Sequence, residues 1–470
     1  TKTGLQTFDD ASTSNHTISA LGGLAASTFS PHRHGGYSTY FDGTGDYLDL
    51  NGDAEFAFGT NDFTIEFWYH SNGSQTGILC DFRPTSTQGT YTLLYVNSDN
   101  TIRYFHQSGD RITSSAISHN VWTHLALTRS GNDVKLFING QQEGSTFTNS
   151  LSQLVGANRP RLGSSGYYSA GATHFNGYMS DIRILNGTAS YTSNFTPPTA
   201  PLTAITNTKF LLGNLPYLKD QSTSNHTITI GGNTSLKPKS LFDNAAYSEA
   251  DHGASVYFDG GGDRITVADH EDFNMGSENF TAECWIHPTA SPSQPIIMGQ
   301  WSGSYSWALE MSNNSSRHLR FLTNAGSIVD NVSSTAVPLN QWSHVALVRN
   351  GTSFVAYLNG TSVVSSTVTG ALANSTDALS IGASASGSYS FQGSMSDVRI
   401  VKGTAVYTSN FTPPSAPLTA ITNTKFLLNP EPSIIDLAQK FHLIDGAGPE
   451  GSATQVAIAG TKSIMHTDFS

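Results

Sequence analysis

Charge is what this chain of 470 residues has least of: Asp, Glu, Lys and Arg make up 12% of it, about half the usual share. Acidic residues exceed basic ones, for a net charge of -12, and Lys and Arg never gather into a run. That excludes the phosphate-neutralising patch of a nucleic-acid binder and the polybasic anchor of a membrane-surface protein. Only two cysteines occur, Cys80 and Cys284, too few for a disulfide framework or a cysteine-rich metal site, and both read as buried apolar residues. No apolar stretch reaches the roughly 18 residues of a membrane span, and no charged, apolar, then small-residue leader opens the sequence. Neither a nucleic-acid partner nor membrane insertion is expected.

What is abundant is Ser, Thr, Asn and Gly, together with a long internal repeat. "APLTAITNTKFLL" occurs at Ala200 and again at Ala416, "STSNHTI" at Ser12 and Ser222, and "YFDG" at Tyr40 and Tyr257. "NDFTIEFWYH" from Asn61 matches "ENFTAECWIH" from Glu278, and "WTHLALTRSG" from Trp122 matches "WSHVALVRNG" from Trp342. "FNGYMSDIRILNGTASYTSNFTPP" from Phe175 matches "FQGSMSDVRIVKGTAVYTSNFTPP" from Phe391. A period of about 216 residues with its landmarks in constant order is the duplication of a whole domain. The frame that begins at "TK" gives domains at 1–207 and 208–423. Residues 424–470 then form a C-terminal extension that starts a third repeat, expected to pack on the second domain or on a neighbouring chain, or to be cut from a longer array. "APLTAITNTKFLL" reads as a proline-stiffened exit fused to the first strand of the next domain.

The landmarks alternate as strands do. Phe63, Ile65, Phe67 and Tyr69 fall on one face, with Thr64, Glu66, Trp68 and His70 on the other, and Cys284 replaces Phe67 on the core side. "LFING" closes an aromatic strand with a hairpin turn signal. No segment shows a helical period with caps, so the chain is expected to be all-β, two tandem antiparallel jelly-roll sandwiches.

The ordered landmarks "D.S.SNHTI", "YFDG.GDYL", "DFTIEFW", "W.H.AL.R", "LF.NG" and "FNG..SD.RI" resemble the laminin-G-like domains of the concanavalin A-like lectin/glucanase superfamily. The region after each "SD.RI" also looks like tandem lectin-like domains in structural and fibre proteins of tailed phages of marine bacteria. The glycosidases of that superfamily place paired glutamates in an E-x-D-x-x-E strand pattern, as a retaining mechanism requires. That pattern is absent here. Glu66 and Glu283 are single carboxylates, and His124 and His344 alternate with apolar residues, so all four read as structural and the chain as a non-enzyme. The resemblance also implies a structural calcium held by Asp181 and Asp397 in "SDIRI" and "SDVRI", with Asp10, Asp220 and the carbonyls of Gly43 and Gly260 as companions. The other reading is that these aspartates cap turns through their own backbone.

Sugar binding needs aromatic platforms and polar groups on loops. Asp81 and Arg83 in "DFRP", Tyr167, Tyr168 and His174 in "GYYSAGATH", and Trp301, Tyr305 and Trp307 in "QWSGSYSW" meet that description on segments that differ between the repeats. The function expected is a non-enzymatic virion or surface protein, a phage fibre or appendage contacting host surface glycans, homo-oligomeric and in company with other virion or surface proteins. The alternatives are an architectural decoration or spacer protein without ligand and a bacterial extracellular adhesin or filament subunit.

Overall fold

The computed structural model of the chain describes residues 36–50, 54–167, 173–213, 252–302 apart from Ser291, 305–312 and 317–430, with shorter pieces of 215–237 and the strands Phe8–Asp10, Ser19–Leu21 and Ala25–Ser27. The described residues are strand and turn almost throughout, with four antiparallel sheets forming two sandwiches. No helix among them is long and apolar enough to cross a membrane. In the first sandwich the strand Phe63–Ser71 sits centrally between Thr123–Ser130 and Asn176–Asn186. Its expected inner face, Phe63, Ile65, Phe67 and Tyr69, enters the core with Cys80, Leu125 and Leu127. Each such side chain, fully buried, contributes about 2 kcal/mol by removal from water. The second sandwich repeats the arrangement around Phe280–Pro288, with Cys284 inside. Both cysteines are buried and unpaired, and burial pushes both thiols up.

The second face of the central strand is buried as well, because the segment after "SD.RI" folds back across it. The Thr64 hydroxyl donates to the Thr188 carbonyl at 2.9 Å, and the Tyr191 hydroxyl donates to Glu66 at 2.8 Å. The hairpin signal at Asn139 and Gly140 turns Asp133–Ile138 into Gln141–Thr148 as expected. Gly140 has φ +76°, and a Cβ there would lie 1.9 Å from the Phe195 carbonyl oxygen, so only glycine lets the returning segment approach. Gly360 and Phe411 reproduce this in the second sandwich.

The folded units are out of phase with the sequence repeat. Thr208–Leu212, expected to open the second domain, pairs with Asn176–Asn186 of the first, and Ile228–Gly231 and Ser235–Lys237 complete the first domain's two sheets. The second domain is completed by the beginning of the chain. Ser19, Ala20 and Leu21 pair Thr266, Ile265 and Arg264, in the register by which Thr229, Ile230 and Gly231 pair Asp49, Leu48 and Tyr47. Likewise Ala25–Ser27 lies on Ser255–Asp259 as Ser235–Lys237 lies on Ser38–Asp42. The boundaries 1–207 and 208–423 therefore do not separate the sandwiches: a repeat shows which strands are equivalent and leaves open which sheet each one joins. Thr424–Pro430 extends the second domain through Gln392–Lys402 and in turn pairs Phe8–Asp10, while the remainder of the expected third repeat, 431–470, lies outside the described residues.

The two sandwiches meet where the chain passes between them. Tyr217 packs with Tyr37, Trp285 and Trp342. The Trp342 amide donates to the Pro216 carbonyl, and the Leu218 amide donates to the Gln341 side chain, both at 3.1 Å.

Candidate functional site: a cleft on the second sandwich

Register across the sheets identifies equivalent positions in the two domains. Asp81 pairs with Leu93 and Arg161, and Gly299 pairs with Ala308 and Ser380. Trp301 therefore stands where the first domain has Arg83, two residues further on, and the two places differ in kind.

In the first domain that place is filled by protein. The buried Asp81 carboxylate receives Arg83 Nε and Nη2 at 3.0 and 2.9 Å, the Arg83 amide at 3.0 Å and the Gly166 amide at 2.8 Å. The Arg83 guanidinium then lies against Tyr167 and Phe105, 4.9 and 5.5 Å from their ring centroids. Asp81, Arg83 and Tyr167 are thus gathered, as a bidentate pair with its cation on an aromatic ring. His174 is half-buried and bridges Ser164. Tyr168 lies outside the described residues.

In the second domain the same place is open. Trp301 and Tyr305 stack with centroids 4.6 Å apart at the rim of a cleft of about 360 Å³, within the range of small-ligand sites. Tyr305 and Tyr389 are 39% and 51% exposed. The loop bearing the stacked pair is anchored at both ends, since the Ser302 amide donates to Asp377 at 2.7 Å and Asn324 Nδ2 donates to the Tyr305 carbonyl at 3.1 Å. Ser384, Ser386 and Ser388 also line the cleft. Trp307 is not part of this platform: it is fully buried in the core, 5.5 Å from the Phe280 ring. It opens an inward-alternating strand, and burial of such a residue reflects packing.

Three charged residues that the sequence reading passed over also line the cleft. Arg320 donates from Nε and Nη2 to both oxygens of Asp330 at 2.7 Å and from Nη1 to Glu310 at 2.5 Å. Burial pushes the Glu310 carboxyl up to about 7 against the pull of Arg320. The signal was available: "WALEM", "HLRFL" and "IVDNV" each carry a single charge within a β pattern, a periodicity that puts three charges on one sheet face. Register also aligns Arg103 with Arg320 and Tyr95 with Glu310, and Arg103 is held by Asp110 at 3.0 Å and Asp99 at 2.6 Å.

The residues named for calcium do other work. Asp181 sits in a β-bulge at φ +51°, accepting the Leu202 amide at 2.8 Å and the Ser180 hydroxyl at 2.7 Å. Asp397, at φ +54°, accepts Leu418 at 2.6 Å and Ser396 at 2.7 Å. Gly43 and Gly260 occupy turns held by neighbouring carboxylates, with the Asp42 amide on Asp46 and the Asp259 amide on Asp263, both at 2.9 Å. Calcium needs several converging oxygens, and among the described residues no three His, Cys, Asp or Glu side chains converge. Both carboxylate oxygens of each bulge aspartate accept a protein hydrogen bond. The Asp10 side chain and Asp220 lie outside the described residues.

The family model described as the concanavalin A-like lectin/glucanases superfamily matches residues 42–192 and 259–405. No curated protein matches the chain. Similar solved structures include domains LG4-5 of the mouse laminin alpha1 chain, at 14% identity over 83% of this chain and 96% of that one, with a TM-score of 0.27. A heptameric SAP-like pentraxin from Limulus polyphemus is 15% identical over 45% of this chain and 98% of its own, with a TM-score of 0.31. Domain 4 of AbnA, an extracellular GH43 arabinanase from Geobacillus stearothermophilus solved with arabinotriose, is 16% identical over 34% and 76%, with a TM-score of 0.28. Likenesses at this level transfer no function.

Proposed function

Because the chain belongs to the concanavalin A-like lectin/glucanases superfamily, we propose that it is a non-enzymatic glycan-binding protein whose second sandwich holds the sugar. One observation carries this reading: the stacked Trp301–Tyr305 pair stands at the mouth of a cleft edged by serine hydroxyls, at the place that Arg83 fills in the first domain. Ring faces cover the apolar side of a pyranose, while hydroxyls and carboxylates take its polar groups. The cleft carboxylates support binding over hydrolysis, because Glu310 and Asp330 are both tied to Arg320, whereas a glycosidase keeps an acid and a nucleophile directed at the scissile bond.

We further place the protein at a virion or cell surface, as part of a phage fibre or appendage that contacts host glycans beside other copies and other surface proteins. The wording of the duplicated junction motivates that setting. A glycan array with the full chain tests the binding reading: reproducible signal that disappears in Trp301→Ala supports it, and silence across host polysaccharides favours the spacer alternative. Release of reducing ends from a bound polysaccharide would contradict the non-enzymatic assignment.

A further inference from the structure

Resting on the assignment of the cleft as a sugar site, we propose that it accepts uncharged glycans and rejects acidic ones, with the Glu310–Arg320–Asp330 cluster as the specificity-determining element. Uronate, sulfate and sialate groups are recognised through cations with free donors, above all by the two-pronged fork of an arginine. Among the described residues the only cation lining the cleft is Arg320. Its fork is closed on Asp330, two donors to two oxygens at 2.7 Å, and a further donor is held by Glu310. An incoming anion would have to displace the Asp330 carboxylate from a bidentate pair and would then sit beside that displaced charge. Hydroxyl groups meet no such barrier, since carboxylate oxygens accept from them and the serine hydroxyls around Ser386 both donate and accept. The same device stands in the first domain, where Arg103 is closed on Asp110 and Asp99, so the outer sheet faces of both sandwiches carry an arginine without displaying its charge. The net charge of -12 adds long-range repulsion of polyanions.

Affinity electrophoresis of the full chain in gels cast with dextran, laminarin, mannan, alginate or dextran sulfate tests this directly. Retardation is expected in at least one neutral gel and in neither acidic gel, unchanged between low and moderate salt. Asp330→Asn, which releases the fork of Arg320, should gain at least tenfold in affinity for alginate, and Arg320→Gln should not. Wild-type retardation by alginate or dextran sulfate that is lost in Arg320→Gln would overturn the selectivity while leaving the cleft as the site. Retardation unaffected by Trp301→Ala would instead remove the site itself, and absence of retardation in every gel would overturn both. Thermal unfolding of each variant separates loss of binding from loss of fold.

Discussion

Glu66 and Glu283 occupy equivalent central-strand positions, and each is fully buried. Arg399 donates to Glu283 from Nε and Nη2 at 2.9 and 2.6 Å, the Tyr407 hydroxyl at 2.7 Å, and His344 Nε2 lies 3.1 Å away; Arg183, Tyr191 and His124 surround Glu66 in the same way. Burial works to raise the Glu283 carboxyl, but His344, Arg399 and Tyr407 outweigh it and hold the group below its ordinary value. A depressed carboxylate stabilises the fold above its unfolded value and loses that contribution as pH falls through the acid range. Removing one partner of a buried pair costs about 3 kcal/mol or more, so Glu283→Gln should lower the urea midpoint substantially at pH 7 and much less at pH 3, and an equal loss at both would show the network to be idle. Glu310 behaves oppositely. Its raised carboxyl contributes stability below the ordinary carboxylate range that is lost as pH rises toward about 7. Wild type should therefore weaken between pH 5 and pH 8 relative to Glu310→Gln in urea titrations, and parallel curves would contradict it. Sequence pattern marked Glu66 and Glu283 as single structural carboxylates in apolar strands; of the partners of Glu283, His344 lies 61 residues away and Arg399 and Tyr407 lie 116 and 124 away, separations that strand alternation does not reveal.

At the scale of elements, the duplicated junction is a fastened part of the domain it follows. Beyond the bulge bonds from Leu202 and Leu418, Arg183 and Arg399 donate to the carbonyls of Thr203 and Thr419 at 2.9 and 2.8 Å. Thr208 and Thr424 accept the amides of Ile205 and Ile421 at 2.8 and 2.9 Å. Leu202, Thr203, Asn207, Thr208 and Phe210–Leu212 thus bind the strand beneath them, which ties this part of the repeated stretch to the preceding domain. Asp397→Ala should free the part-buried Leu418 amide and cost about 1 kcal/mol, the loss of one charge-assisted hydrogen bond. Hydrogen exchange at Leu418 should accelerate with it, and unchanged protection would contradict the clamp. Gly360→Ala, forced against the Phe411 carbonyl at φ +76°, should cost about 2 kcal/mol or more, read as a drop in melting temperature. Alternation and the Asn-Gly signals made these strands readable; the bulges at Asp181 and Asp397 were not, because a bulge depends on what must reach the strand from outside it.

For the whole molecule, the two sandwiches are cross-closed: the chain's first strands finish the second domain, and the strands after the first domain finish the first. "STSNHTI" precedes the closing strands of both domains, at Ser12 and Ser222. Ser19→Cys with Thr266→Cys, joined at a paired position, should form an internal disulfide and raise the melting temperature of the second domain. Four free thiols after oxidation, rather than the two of Cys80 and Cys284, would contradict that pairing. Fold class and duplication were legible because hydrophobic period and repeated words are local properties, whereas the partner of each strand is a global one. The cleft was half legible for the same reason, its aromatic rim showing as a divergent loop while its charged lining was assembled from three strands. The central claim is that this rim holds a sugar, and titration calorimetry of the full chain with a neutral polysaccharide tests it most directly. Binding that weakens at least tenfold, about 1.4 kcal/mol, in both Trp301→Ala and Tyr305→Ala and is unchanged in Arg83→Ala is the result predicted. Equal heats from wild type and the two cleft variants would contradict it.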